Sequence, residues 1–391
     1  MMLITNQKEL NSVCARFKSE GYLTFDTEFL REKTYYPKLC LIQIGNKDKE
    51  AYAIDPLADG IDLQPLFDLL FDKNILKIVH AGRQDLEIFY NLTQKVVSPL
   101  FDTQIAAMVC GYGDSIGYEN LVRNITGNGL DKSAQFTDWS NRPLSDKQIN
   151  YALGDVTHLV DVYEHLSEEL GKRGRTEWVF QEEEVLNDPA TYENDPYLAW
   201  ERVKIKTPKP KNLATLRELA AWREKRAQDK DLPRSWVMRD DTLADMSSQM
   251  PKNIKQLKKI RNMPNDLAES RHGAKLLELI QRVDESNPKD WPKPKKRKVL
   301  PPHISATIDI LKMLLKVQCA SNDVATKLVC SNNDIEELAQ NDKADIPALR
   351  GWRFEIFGKH ALAIKKGELA VGLKGSSIVK YEINKDTAIR D

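Results

Sequence analysis

Residues Tyr22 to Phe29 read YLTFDTEF, an apolar and β-branched run that carries two acids, Asp26 and Glu28, one residue apart. A strand places side chains i and i+2 on one face, so both carboxylates point the same way. Two like charges beside aromatic neighbours destabilise a buried strand unless a cation neutralises them, and oxygen-only ligands suit magnesium or manganese. An edge strand with two solvated acids satisfies the same stretch. The rest of the chain has to decide between these readings.

The length of 391 residues allows two or three domains, each able to bury its own core. With 41% hydrophobic and 30% charged residues the composition is that of a soluble folded protein. The longest apolar runs, such as Leu39 to Ile44, are too short to span a bilayer, and the first residues lack a basic segment followed by an apolar one. The expectation is therefore no secretion, no membrane anchor and a cytoplasmic protein. Cys14, Cys40, Cys110, Cys319 and Cys330 are scattered without a C-x-x-C spacing and read as ordinary thiols of a reducing compartment. The net charge of zero hides a polarity: residues 1–200 sum to −13 and residues 201–391 to +13, His counted neutral. An acidic half that collects divalent cations, joined to a basic half that attracts polyanions, suits an enzyme acting on nucleic acid.

Short β-like runs at Tyr22–Phe29, Leu39–Gly45, Ala51–Asp55 and Ile75–Ala81 alternate with helical patterns at Leu63–Phe71, Leu86–Leu92, Thr103–Cys110 and Tyr118–Ile125. The short connections between the first three runs predict an antiparallel meander, and the fourth, which follows a helix, is expected to lie parallel to a neighbour. The fold class is thus α/β, a mixed sheet flanked by helices, over residues 1–200. From Ser145 to about Leu186 the pattern is wholly helical and ends in Glu182, Glu183 and Glu184. KIKTPKPK at Lys204–Lys211 reads as a linker, and a second linker at Asn287–Pro302 contains KPKKRK at Lys293–Lys298. Two all-α helical domains follow these linkers, at 207–287 and 303–370. They form a candidate degenerate repeat, since each opens with an amphipathic helix and carries a glycine, Gly273 or Gly358, before a closing apolar helix.

Three further residues turn the opening pair into a candidate site. Asp85, in GRQDLEIF, lies at a strand-to-helix junction, where a carboxylate can face back toward the sheet edge. Tyr151 and Asp155, in YALGDVTHLV, are four apart and share a helix face. Two metals about 4 Å apart, held by such carboxylates, clamp the attacking and leaving oxygens of a phosphodiester displacement. Tyr151 could hold the attacking water. Taken singly, Asp85 also reads as a helix N-cap and the Tyr151–Asp155 pair as a partly exposed face.

The order Asp26-x-Glu28, Asp85, Tyr151-x-x-x-Asp155 resembles the tyrosine-bearing branch of the DEDD superfamily of 3′→5′ exonucleases. The longer words FDTEF with TYYPKLCLIQIG, HAGRQDLEIF, FDTQIAA and LDKSAQFTDWSNRPLSDKQINYALGDV are similar to bacterial ribonuclease D. LRELAAWREKRAQDKDLPRSWVMRDDTL resembles the helicase-and-RNase-D C-terminal domain of that family, and the second helical segment resembles it more faintly. The resemblance implies a ribonuclease H-like exonuclease domain and a tandem helical pair. It implies that Asp26, Glu28 and Asp155 coordinate a first metal, that Asp26 bridges to a second on which Asp85 acts, and that Tyr151 orients the nucleophile. The implied cofactors are two divalent ions, Mg²⁺ or Mn²⁺. The implied reaction is stepwise hydrolysis of RNA, transfer RNA precursors above all, from the 3′ end to nucleoside 5′-monophosphates, by a monomer with no obligate protein partner.

Other residues have bland readings of their own. Asp102, ahead of an amphipathic helix, reads as an N-cap. Phe29, Gln43 and His80 flank the expected cleft. Phe29 could pack on a base and Gln43 hydrogen-bond the terminal nucleotide, while His80 reads as a hydrogen-bonded packing residue and a candidate substrate contact; ordinary packing would explain all three. KPKKRK resembles a nuclear localisation signal, yet beside a bacterial family it reads as a phosphate contact or a solvated connector. Lys252, Lys255, Lys258 and Lys259, with Trp222 and Trp236, permit RNA binding by the first helical domain. A DNA exonuclease and a non-catalytic nucleic-acid adaptor are the rival functions.

Overall fold

The computed structural model describes residues 2–131, 133–206, 209–294, 301–375 and 377–383. The Lys295–Lys298 part of the basic run and Thr207–Pro208 of the first linker lie outside them.

Residues 1–200 build a six-stranded mixed sheet with helices on both faces. In chain order its elements are β1 (Leu3–Ile4), α1 (Gln7–Phe17), β2 (Tyr22–Leu30), β3 (Lys38–Gly45), β4 (Ala51–Ile54), α2 (Gln64–Leu70), β5 (Leu76–Val79) and α3 (Arg83–Thr93). They continue with β6 (Leu100–Asp102), α4 (Thr103–Val109), α5 (Tyr118–Thr126), α6 (Asp146–Arg173) and α7 (Thr176–Asn187). The sheet order is β1-β4-β3-β2-β5-β6. The predicted meander is present, with β2 to β3 and β3 to β4 antiparallel, and β5 runs parallel to β2 as expected. The sequence reading carried neither β1 nor β6, which span only two and three residues.

Alternation along β2 separates two environments. Leu23 and Phe25 face a core that they share with Leu10 of α1, Leu69 of α2 and Phe89 of α3. Asp26 and Glu28 take the other face, on which α6 lies. That 28-residue helix starts at a capping box, Ser145 with Gln148, and stops at Gly174, whose φ of 65° suits glycine. Its buried residues, Val156, Leu159, Val162 and Leu166 among them, fix it on the sheet. At about 1.5–3 kcal/mol for each fully buried aliphatic side chain, this packing outweighs any local propensity. The backbone comes close at one point: the Thr24 hydroxyl donates to Val156 O at 2.9 Å, and a Cβ on Gly45 would meet Val156 O at 3.3 Å and Thr24 Oγ1 at 2.7 Å. That approach sets Asp155 over β2.

The first helical unit contains α8 (Pro210–Lys230), α9 (Arg234–Val237), α10 (Asp240–Gln249), α11 (Ile254–Leu257), α12 (Asn265–Glu269) and α13 (Arg271–Glu285). The second contains α14 (Pro302–Ser321), α15 (Thr326–Val329), α16 (Asn332–Gln340), α17 (Gly351–Arg353), a π-turn at Phe354–Gly358 and α18 (Lys359–Lys365). A hairpin of β7 (Leu369–Lys374) and β8 (Ser377–Glu382) continues the second unit past residue 370, and nothing in the sequence reading anticipates it. The two units share one local feature: a Cβ on Gly273 would lie 2.0 Å from Ala268 O, and one on Gly358 would lie 2.3 Å from Ala348 O. Both glycines admit the carbonyl of a buried alanine.

Each helical unit docks on the sheet domain at its own place. Asp231 Oδ1 accepts from the Tyr35 and Tyr36 amides at 3.0 and 2.9 Å, and the Tyr35 hydroxyl donates to Glu224 at 2.5 Å. At the other dock, Trp178 of α7 stacks on Trp352 with ring centroids 4.4 Å apart, Glu182 pairs with Arg353, and Ala325 N donates to Met108 O at 2.8 Å. All five cysteines are free and buried. No helix among the described residues is long and apolar enough to cross a membrane.

Candidate active site

Four acids meet at the sheet. Asp26 and Glu28 come from β2, opposite Gln43 and Leu41 of β3. Asp85 is the third residue of α3, inside its first turn, and Gly82 rather than Asp85 holds the N-cap position. The Thr27 hydroxyl donates to Asp85 Oδ1. Asp155 is buried on α6, and Tyr151, one turn earlier, hydrogen-bonds it.

The electrostatics follow from crowding. Burial first, and then the charges of Asp85, Asp155 and Glu28, push the Asp26 carboxyl well above the ordinary range. Burial, Asp155 and Asp85 together raise Glu28 to about 9. Burial raises Asp85 to about 6, against the lowering effect of the Thr27 hydrogen bond. Burial and the neighbouring acids also raise the Tyr151 phenol. No three His, Cys, Asp or Glu side chains among the described residues already converge on one ion position. Like-charge repulsion acts against convergence, while the Thr27 bond fixes the orientation of Asp85. The donor chemistry nevertheless fits a hard dication: the four acids supply only oxygen, and opposite charge is what removes the cost of ionising them together.

Two cavities flank the helix face that carries Tyr151 and Asp155. One, of about 130 Å³, is lined by Asp26, His80, Tyr118, Tyr151 and Asp155. The other, of about 240 Å³, lies on the side of Leu130, Lys147 and His158. The Tyr118 hydroxyl donates to Asp155 O at 2.5 Å, and Trp139 packs beside Tyr151 with ring centroids 6.0 Å apart. The sequence reading missed the roles of Tyr118 and Trp139. For Trp139 the available signal was the long segment 127–145, whose described residues contain no helix or strand, a length typical of loops that cover sites.

The turn that delivers Asp85 is held by Asp102. Ala81 has a φ of +54°, a costly conformation for a residue with a Cβ. Asp102 Oδ1 accepts from Ala81 N at 2.9 Å and Oδ2 from Gly82 N at 3.0 Å. The same carboxylate caps α4 through Gln104 N at 2.8 Å, so the N-cap reading was right but incomplete. Glu183 Oε1 accepts from Asp102 N at 2.5 Å, and burial raises that glutamate to about 9.

Of the three residues expected at the terminal nucleotide, His80 lines the smaller of the two cavities. Its Nδ1 lies 3.0 Å from Thr103 Oγ1, and burial lowers its pKa, which keeps the ring neutral. Gln43 is wholly buried opposite Asp26, beneath the site rather than on its surface. Phe29 follows a β-bulge and packs against the core on the opposite face of the sheet. Strand alternation accounts for Phe29, while Gln43, paired with Asp26 and on its face, is set beneath the site by burial.

Comparison with known proteins agrees with this geometry. Residues 1–171 match the model of a 3′-5′ exonuclease family, and residues 212–280 match the HRDC domain. Ribonuclease D of Nitrobacter hamburgensis is 46% identical, over 98% of this chain and 100% of its own. The Granulibacter bethesdensis ribonuclease D is 43% identical, over 96% and 95%. The crystal structure of Escherichia coli RNase D, an exoribonuclease involved in structured RNA processing, superposes with a TM-score of 0.80 at 29% identity, covering 93% of this chain and 98% of that one. The Nitrobacter and Granulibacter relatives match at 46% and 43% identity over nearly their whole length and nearly the whole of this chain, and the chain belongs to the ribonuclease D family of 3′→5′ exoribonucleases.

Proposed function

We propose that the chain removes nucleotides one at a time from RNA 3′ ends, transfer RNA precursors among them, with two divalent ions held by Asp26, Glu28, Asp85 and Asp155. The observation that carries this reading is the crowding of Asp26, Glu28 and Asp85 with Asp155, in which burial, and for Asp26 and Glu28 the neighbouring acids as well, suppress ionisation of the first three. Bound Mg²⁺ or Mn²⁺ would supply charge neutralisation and a nucleophile activated near neutral pH. Asp26, Glu28 and Asp155 would hold one ion, and Asp85 would serve the second together with Asp26. The Tyr151 phenol, kept protonated by its acidic neighbours, orients the attacking water. His80, neutral and facing the same cavity, is positioned for a hydrogen bond to the terminal nucleotide. The exonuclease unit (1–200) and the helical units (207–287 and 303–370) act in one chain, as a cytoplasmic monomer.

Parallel digestion of matched RNA and DNA oligonucleotides with Mg²⁺ or Mn²⁺ tests the substrate class. RNA shortened faster than DNA, with nucleoside 5′-monophosphates as product, is the expected result. Faster digestion of DNA would move the reading to a DNA exonuclease, and binding without digestion would move it to an adaptor.

A further inference from the structure

A cavity of about 600 Å³ opens where the end of β2 meets the first helical unit, and five arginines line it: Arg31, Arg202, Arg223, Arg234 and Arg239. Two carboxylates share the lining, Glu224 and Asp240. Each already holds an arginine, Glu224 with Arg234 at 2.5 Å and Asp240 with Arg223 at 2.6 Å. Arg31 is paired outside the lining, with Glu87 at 2.8 Å. Arg202 is exposed and donates to a neutral amide, Asn194 Oδ1, at 3.3 Å, and Arg239 is exposed as well. The cavity therefore keeps an excess of positive charge. On the same short helix as Arg234, Trp236 is 61% exposed.

Position relates this cavity to the acids. Arg31 is three residues past Glu28, about 10 Å along the chain at strand spacing. Its partner Glu87 is two residues past Asp85 on α3. We propose that this arginine-lined cleft holds the phosphates of the RNA strand upstream of the scissile bond, with Trp236 as a stacking surface for one of its bases. The proposal rests on the ribonuclease reading and adds a second place where the substrate is held. Guanidinium groups suit phosphate oxygens, and an exposed indole accepts any base by its π-face, so the cleft favours RNA without selecting a sequence.

The test compares the full-length wild type with R202Q/R239Q and W236A. Binding of a 5′-fluorescent single-stranded RNA is measured without divalent ions across a salt series. Turnover is measured on the same RNA and on a dinucleotide too short to reach from the acids to the cleft. R202Q/R239Q is expected to weaken RNA binding and to flatten the slope of log K against log salt by about 1.4, at about 0.7 per phosphate contact on a single strand. W236A is expected to weaken binding on the order of tenfold. Both variants should cleave the dinucleotide like the wild type.

RNA affinity and salt slope equal to wild type in both variants would overturn the proposal. So would a parallel loss on the dinucleotide, which would put the effect in the catalytic unit. A wild type that cleaved neither substrate would count against the ribonuclease reading itself, while the binding series would still decide the cleft.

Discussion

The hydroxyl of Thr27 donates to Oδ1 of Asp85, so the residue between the two strand acids fixes the acid that comes from α3. Partners that orient metal-binding side chains typically contribute 10–100-fold in affinity. Thr27→Val keeps the shape and removes the bond. It is expected to raise the Mn²⁺ concentration needed for half-maximal activity by about tenfold or more, with little change in melting temperature. An unchanged metal requirement would show that Asp85 is held by packing alone.

Tyr151 is expected to act in turnover more than in binding. Its phenol hydrogen-bonds Asp155 and lines the cavity that contains Asp26. Tyr151→Phe should lower kcat on the order of 10²-fold or more, as for other positioned proton donors, and leave KM for RNA nearly unchanged. A rise in KM at constant kcat would assign the phenol to substrate binding.

Arg142 holds the segment that carries Trp139. It binds both oxygens of buried Asp55 at 2.6 Å and also donates to Cys40 O and Trp139 O, at 2.7 and 2.8 Å. Arg142→Ala leaves that carboxylate without its partner and is expected to cost about 3–5 kcal/mol in urea unfolding. Because Trp139 packs beside Tyr151, kcat should fall as well. A variant as stable as the wild type would refute the clamp.

Glu183 gives the fold a pH dependence. Its folded-state pKa is raised to about 9, above its ordinary 4.5, so the folded protein binds this proton more tightly than the unfolded chain. Its contribution is fully present below about pH 4.5 and is lost as pH rises toward 9. Glu183→Gln retains an oxygen for the Asp102 amide and never ionises. The variant should therefore melt above the wild type at pH 8.5 and converge with it near pH 5. Parallel melting curves at both values would contradict the assignment.

The sequence carried the meander because β2, β3 and β4 are apolar runs joined by short connections, a local pattern. It put Asp26, Glu28, Asp85, Tyr151 and Asp155 forward as the candidate site because their order and the words around them resemble one family. What stayed hidden depended on distant contacts. Gln43 and Phe29 sit near the acids in sequence or register, but burial puts one beneath the site and alternation puts the other on the far face. The acids at 182–184 read as one charged run, yet Glu182 reaches Arg353 and Glu183 is buried under Asp102. The hairpin at 369–382 follows a helical unit without a hydrophobic period strong enough to announce it.

The central claim is that four carboxylates from one strand and two helices make a metal-dependent 3′→5′ site. The most direct measurement follows 3′-labelled and 5′-labelled single-stranded RNA with Mg²⁺, Mn²⁺ or EDTA, for the wild type and for Asp155→Ala. The predicted result is metal-dependent release of the 3′ label as a mononucleotide, with a shortening ladder from the 5′-labelled strand, both abolished by EDTA and by the substitution. Digestion that persisted in Asp155→Ala, or that released the 5′ label first, would contradict it.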